Sequence, residues 1–191
     1  YAVNNSFTAT GAVAVTNSGI FTLGATGAII APTGFSTTGA TTLSNNITTT
    51  NTALSIGGNL VIGEAASVVL AAGSGAITVT GTTDGTAAGS AETLTVNTTG
   101  IVTFTGAVGT GQALMLSTLT ITNSAALNFS NTVNITGALT QTNPATGTTT
   151  FSNTVAVGSA TLGGVAYAVN NSFTATGAVA VTNSGIFTKA A

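Results

Sequence analysis

The chain has 191 residues, and apart from its two tyrosines the ionisable side chains are Glu64, Asp84, Glu92 and Lys189, with a formal net charge of −2 and no His or Cys. Acid–base and nucleophilic catalysis need a titratable group beside a partner, and transition-metal sites need imidazole, thiolate or clustered carboxylate ligands. Nucleic-acid binding needs a basic stripe. We therefore expect no enzyme, no catalytic, cofactor-binding or metal site, and no nucleic-acid partner.

The remaining composition favours a folded chain with a neutral polar surface. Hydrophobic residues make up 43% and charged residues 2% of the sequence, whereas disorder usually combines low hydrophobicity with high charge. No run approaches the roughly 18 apolar residues of a membrane span, so none is expected. The absence of cysteine is compatible with export.

In chain order, the pattern is one of short alternating segments separated by turn signals such as NSG, GSG, TDG and NTTG. Alternation of polar and apolar residues is typical of β-strands. No stretch keeps a helical apolar stripe, which predicts an all-β protein. The clearest predicted strands are 12–15, 76–80, 93–97, 102–105, 118–122 and 133–136.

One long repeat is exact. Residues 1–22 recur unchanged as residues 167–188. We interpret 1–166 as one unit of a tandem array and 167–188 as the start of the next, since fixed-period self-similarity is typical of solenoids. An engineered duplication is the alternative. On either interpretation, residues 189–191, which include the one lysine, are expected to be a tail or a scar.

A looser period lies inside the unit. Similar segments begin at Phe129, Phe151 and Phe173, which are equally spaced along the chain. Of the folds built from short strands, the solenoid is the one that predicts internal repeats of one coil. We therefore predict a single right-handed parallel β-helix over 1–191, with coils of about 22 residues. The three phenylalanines should stack inward on consecutive coils, and Gly and Asn should occupy corners with positive φ.

Segments such as GGNLVIGEAASVVLAAGSGAITVTG, TTGIVTFTG and STLTITNSAALNFSNTVNITGALT resemble the β-strand repeats of large bacterial surface exoproteins. These are autotransporter passengers, filamentous-haemagglutinin-like adhesins and surface-layer-type proteins. The resemblance implies an exported, cell-surface β-solenoid that acts as a stalk, adhesin or filament.

The three acidic residues are interpreted as structural. Asp84 could suggest calcium, but that ion prefers several carboxylates, so Asp84 is predicted to be a turn residue. Glu64 and Glu92 are predicted to be solvated turn residues. A glycan-processing enzyme would need paired carboxylates at one groove, which three scattered acids do not favour.

The leading functional hypothesis is an extracellular structural repeat protein that forms a stiff fibre, sheath or stalk. Its partner would be itself, because solenoid ends are open strand edges and little charge opposes docking. The alternative is an adhesin passenger that binds a host or neighbouring cell surface. A remote alternative is an ice-binding solenoid. It is suggested by Thr-x-Thr pairs such as Thr93/Thr95 and Thr120/Thr122, but their spacing along the sequence is irregular.

Overall fold

The computed structural model describes residues 1–86, 91–111, 114–142 and 147–190, and every regular element in these ranges is a β-strand. The strands pair in parallel and stack as a solenoid, which confirms the predicted fold class. All six of the clearest predicted strands are present. No helix in the described ranges has the length and apolar character to cross a membrane.

The strands form three long sheets, one on each side of the coil. Sheet 1 contains β1 (Ala2–Val3), β4 (Phe21–Leu23), β7 (Thr41–Leu43), β10 (Leu60–Ile62) and β13 (Thr83–Asp84). Sheet 2 contains β2 (Phe7–Thr8), β5 (Ile29–Ile30), β8 (Ile47–Thr48), β11 (Ser67–Gly73), β14 (Thr93–Thr98), β16 (Leu116–Asn123), β18 (Val133–Gln141), β20 (Val155–Gly164) and, paired with β20, both β22 (Phe173–Ala175) and β23 (Val179–Asn183). Sheet 3 contains β3 (Val13–Val15), β6 (Phe35–Thr37), β9 (Leu54–Ile56), β12 (Ile77–Val79), β15 (Ile101–Phe104), β17 (Ala126–Phe129), β19 (Thr148–Phe151), β21 (Ala166–Val169) and β24 (Phe187–Lys189).

Sheet 1 continues beyond β13 because the long strands β18 and β20 bend around a corner. Thr83 bridges to Val108, and Val108 bridges to Val133 at the start of β18. Val133 pairs with Val155 of β20, which in turn pairs with Phe173 of β22. The first halves of β18 and β20, together with β22, therefore extend sheet 1, whereas their second halves and β23 extend sheet 2. The chain visits sheets 1, 2 and 3 in this order throughout.

The coils differ in length. A short coil separates Ile29 from its partner Ile47, whereas a long coil separates Leu70 from its partner Val96. From Val13 to Phe187 the chain makes eight coils, which is about 22 residues per coil. The mean therefore matches the predicted period, and the corners absorb the variation.

Alternation along each strand places one set of side chains inside the solenoid. Strands such as β9, Leu54–Ile56, bury their first and third residues and leave the middle one half-exposed. The same pattern occurs in β4, β10 and β12. The result is one continuous apolar core of Leu, Ile, Val and Phe side chains.

The predicted phenylalanine column is correct for two members and wrong for the third. Phe104, Phe129 and Phe151 occupy one register of sheet 3, and their rings stack at centroid distances of 5.2 and 5.3 Å. Phe173 instead pairs with Val155 on sheet 1 and meets Phe151 edge-on, at 5.7 Å and 81°. The coil that leads to Phe173 starts at its partner Val155, four residues after Phe151. It is therefore shorter than the interval between Phe151 and Phe173. A constant step therefore does not describe it.

Glycines at the corners serve mainly close approach between coils. Positive φ occurs at Gly34, Gly73, Gly109 and Asn51, as predicted for Gly and Asn, but also at Ala65, which the prediction did not include. A column of other corner glycines has no positive φ. A Cβ added at Gly106 would lie 2.3 Å from the carbonyl oxygen of Gly81 on the preceding coil, so no side chain fits there.

The core also contains a polar network around Gln141. The Nε2 group of Gln141 donates to Oγ1 of Thr149 at 2.9 Å, and the Tyr167 hydroxyl donates to Oε1 of Gln141 at 3.4 Å. All three side chains are buried. Because each finds a partner inside the solenoid, the network can be buried without leaving these groups unsatisfied.

Candidate functional site: the two open ends of the solenoid

The N-terminal end exposes the apolar interior of the first coil. Tyr1 is 77% and Phe7 43% exposed. These side chains, with Val3, Val13 and Phe21, line an open hollow of about 370 Å³. Within the described part of the chain, strands β1, β2 and β3 pair on one edge only, so in this structure their other edge presents free backbone donors and acceptors.

The C-terminal end is the counterpart of this surface. Val179 is 49%, Val181 38% and Phe187 48% exposed, although each lies in register with an inward residue of the preceding coil. The last described coil, β22 to β24, likewise pairs with other described strands on one edge only. Each end therefore combines an open strand edge with apolar side chains.

The repeated segment forms both ends, and it folds in the same way at each. Strands β1 to β4 of the first copy correspond to β21 to β24 of the second. In the first copy Ala2 pairs with Thr22, and in the second the equivalent residues Ala168 and Thr188 pair in the same way. The segment is thus one complete coil that closes on itself.

The two copies nevertheless lie on different sides of the solenoid. Strand β1 belongs to sheet 1, whereas its counterpart β21 belongs to sheet 3. Strand β3 belongs to sheet 3, and its counterpart β23 to sheet 2. Counting along sheets 1 and 3, the chain makes seven and two-thirds coils from one copy to the other. The second copy is therefore shifted by one third of a coil.

The two copies also use opposite edges of the same segment. In the first copy β2, β3 and β4 pair with the following coil, through β5, β6 and β7. In the second copy β21 pairs with the preceding β19, and β22 and β23 pair with β20. We call the edge that pairs with the following coil the trailing edge, and the edge that pairs with the preceding coil the leading edge. Each edge of the repeated sequence fits a neighbouring coil.

Asn17 shows what the trailing edge needs. Its Nδ2 donates to the carbonyl oxygen of Gly19 within the segment at 2.8 Å and to that of Ala40 on the next coil at 3.1 Å. Its Oδ1 accepts from the Gly39 N–H at 2.9 Å. The counterpart Asn183, which lies in the last coil that the structure describes, repeats the internal bond, to Gly185 at 2.7 Å.

Equivalent aromatic side chains are buried to different extents in the two copies, because each copy is covered on a different edge. Tyr1 is 77% exposed, but its counterpart Tyr167 is 1% exposed beneath the coil that precedes it. Phe21 is 3% exposed, whereas its counterpart Phe187 is 48% exposed. A segment covered on both edges would bury both aromatic positions.

Lys189 lies just beyond the second copy, at an inward position. It pairs with buried Val169 and corresponds to Leu23, which is fully buried. Its Nζ donates to the carbonyl oxygen of Ala190 at 2.7 Å. The predicted tail thus continues β24 and places a charge in an apolar column of the last coil; residue 191 lies outside the described residues.

Two of the three acidic residues differ from their predicted settings. Glu64 is an exposed turn residue, as predicted. Asp84 ends strand β13, is 6% exposed, and accepts bonds from the hydroxyl of Thr82 and the backbone N–H of Thr110. Glu92 is fully buried, so its prediction as a solvated residue is wrong. The reason is that Thr86, which lies just beyond strand β13, bonds to this carboxylate.

The environment of Glu92 is polar on one side. Its Oε1 accepts from the Thr86 hydroxyl at 2.6 Å, while its Oε2 has no hydrogen-bond partner among the described residues. Burial raises the pKa of Glu92, but the bonds from Thr86 and from backbone N–H groups outweigh this effect and hold the pKa below its usual value. Asp84 and Glu92 do not form a larger acidic group: in the described ranges no three His, Cys, Asp or Glu side chains could share a metal.

The threonines are more regular in space than along the sequence. Coils of unequal length bring Thr95, Thr120, Thr140 and Thr161 into one outward column of sheet 2. The irregular spacing in the sequence is therefore no argument against a regular hydroxyl array. The ice-binding alternative stays a prediction.

Comparisons with known proteins give no match: no family model, no curated protein and no solved structure resembles the chain significantly.

Proposed function

We propose that this chain is an extracellular structural repeat protein whose solenoid units join end to end into a stiff fibre, sheath or stalk. The observation that carries the proposal is that one repeated sequence pairs with a coil through the trailing edge in its first copy and through the leading edge in its second. One segment covered on both edges would make a continuous solenoid. The surface location rests on the resemblance to exoprotein repeats.

The charge distribution supports this proposal. The net charge is −2, so long-range repulsion between copies is small. Each end offers free backbone groups together with apolar side chains that lose water on docking. Contacts between two unlike ends do not close on themselves unless their rotation forms a ring, so they favour an open filament.

A charge placed inside the last coil should block this joint. Val179 lies inward and is 49% exposed, so Val179→Lys can keep its ammonium in water in the monomer but not beneath another coil. We expect wild type to form filaments as concentration rises, and Val179→Lys to stay monomeric in sedimentation and electron microscopy.

The matched control is Ala180→Lys, which adds the same charge to the same strand at an exposed, outward position. It should assemble as wild type does. A wild-type protein that remains monomeric at all concentrations, or equal assembly by both variants, would contradict the proposal.

A further inference from the structure

We propose that a second copy of this chain is captured by exchange of the repeated segment. Residues 167–188 of one copy displace residues 1–22 of another and pair with its β5, β6 and β7. This inference rests on the proposed end-to-end function and specifies the joint. The occupant of the receiving surface is thus a defined segment of the chain itself.

Sequence identity makes the incoming segment a fit for the vacated place. Residues 167–188 can repeat every pairing that 1–22 makes with the following coil, such as Val13 with Phe35 and Phe21 with Thr41. Asn183 can likewise take the bonds to Gly39 and Ala40 that Asn17 now makes. The joint needs no contact that the structure does not already contain.

Lys189 favours exchange over the stacking of two intact ends. Stacking would bury its ammonium in the inward column of Val169, without a carboxylate partner. Inward charges on an open edge are a known protection against such stacking. In the exchanged joint, Leu23 of the receiving copy takes the place of Lys189 beside Val169 and pairs onward with Leu43, while Lys189 leaves the joint.

The segment to be displaced is weakly held. No strand of the described residues pairs with its leading edge, and Tyr1 is 77% and Phe7 43% exposed in this structure. Its pairings to the next coil are replaced by identical ones, and the released residues regain conformational freedom. Exchange of identical elements is a low-cost route to assembly for this reason.

The exchanged joint has a defined geometry. Each copy advances the solenoid by the interval between the two repeats, which is seven and two-thirds coils. At about 4.8 Å per coil this is about 37 Å, with successive copies turned by one third of a coil. Stacking of intact chains, with β1 above β22, would add nine coils without that turn, or about 43 Å.

Two asparagine variants of the full chain test exchange directly, because they should act in opposite directions. Asn17→Ala removes two bonds that hold the segment in its own chain, which favours displacement. In the joint, Asn183→Ala removes the same two bonds to the receiving copy. In the monomer, it removes only the internal bond to Gly185. The loss of two neutral hydrogen bonds corresponds to about a tenfold change in the critical concentration of assembly, measured by sedimentation.

We expect a lower critical concentration for Asn17→Ala, a higher one for Asn183→Ala, and a value near wild type for the double variant. Images of the filaments should show the one-third turn. If wild type assembles but Asn17→Ala does not lower its critical concentration, exchange is wrong and end-to-end stacking remains. If wild type and both single variants stay monomeric, exchange and the proposed function are both wrong.

Discussion

At the scale of residues, Tyr167 couples stability to pH. Its ring is buried, and burial raises its pKa to about 12 from 10.0. A raised pKa means that the folded state favours the neutral phenol, so this contribution is complete below pH 10 and is lost as pH rises towards 12. The free energy of unfolding should fall by up to about 2 kcal/mol over this interval.

Denaturant titrations at a series of pH values measure this effect. Tyr167→Phe should flatten the fall, whereas Tyr1→Phe, which changes the other tyrosine, should leave it in place. An unchanged fall in Tyr167→Phe would show that another group is responsible.

Also at the residue scale, the sequence identified every ionisable group but not its surroundings. Glu64 is exposed as predicted, whereas Glu92 is buried. A carboxylate in a glycine- and serine-rich stretch resembles a solvated turn residue. Its carboxylate is bonded by Thr86, six residues earlier in the chain, and by the backbone of Ala65. The proximity of Ala65 follows from the stacking of coils rather than from any local pattern.

At the scale of elements, the aromatic column shows where periodicity succeeds and fails. Phe151 is fully buried between Phe129 and Val169 on sheet 3, so Phe151→Ala should cost about 3–5 kcal/mol. Phe173 is half-buried on another sheet, and Phe173→Ala should cost about 1–2 kcal/mol. Urea unfolding of both variants measures the difference, and equal losses would contradict the assigned registers.

Alternation within strands was readable from the sequence, because inward and outward residues differ in polarity. Register between strands was not, since the coils differ in length and their lengths follow no local signal. Val179 and Val181 pair with Ala160 and Leu162, which no local pattern in the sequence indicated. Extra residues at a corner shift a strand to a different side without changing its own pattern.

At the scale of the whole molecule, the parallel solenoid and the mean coil length followed from the repeats. The one-third shift between the two identical segments did not. It arises because the interval between the segments is not a whole number of coils. The fraction of a coil that is left over depends on the lengths of all the coils between them. The edges that the proposed joint uses became visible only when both copies were placed on the solenoid.

Disulfide trapping tests most directly whether the second copy is shifted by one third of a coil, because the chain has no cysteine of its own. Ala156 and Thr174 are partners on adjacent coils, within the separation that a disulfide spans. Oxidation of the Ala156→Cys/Thr174→Cys variant should give an intramolecular cross-link, detected by mass spectrometry. The Thr150→Cys/Ser172→Cys variant, whose positions would be partners if every coil had the same length, should stay reduced; a cross-link there instead would contradict the one-third shift.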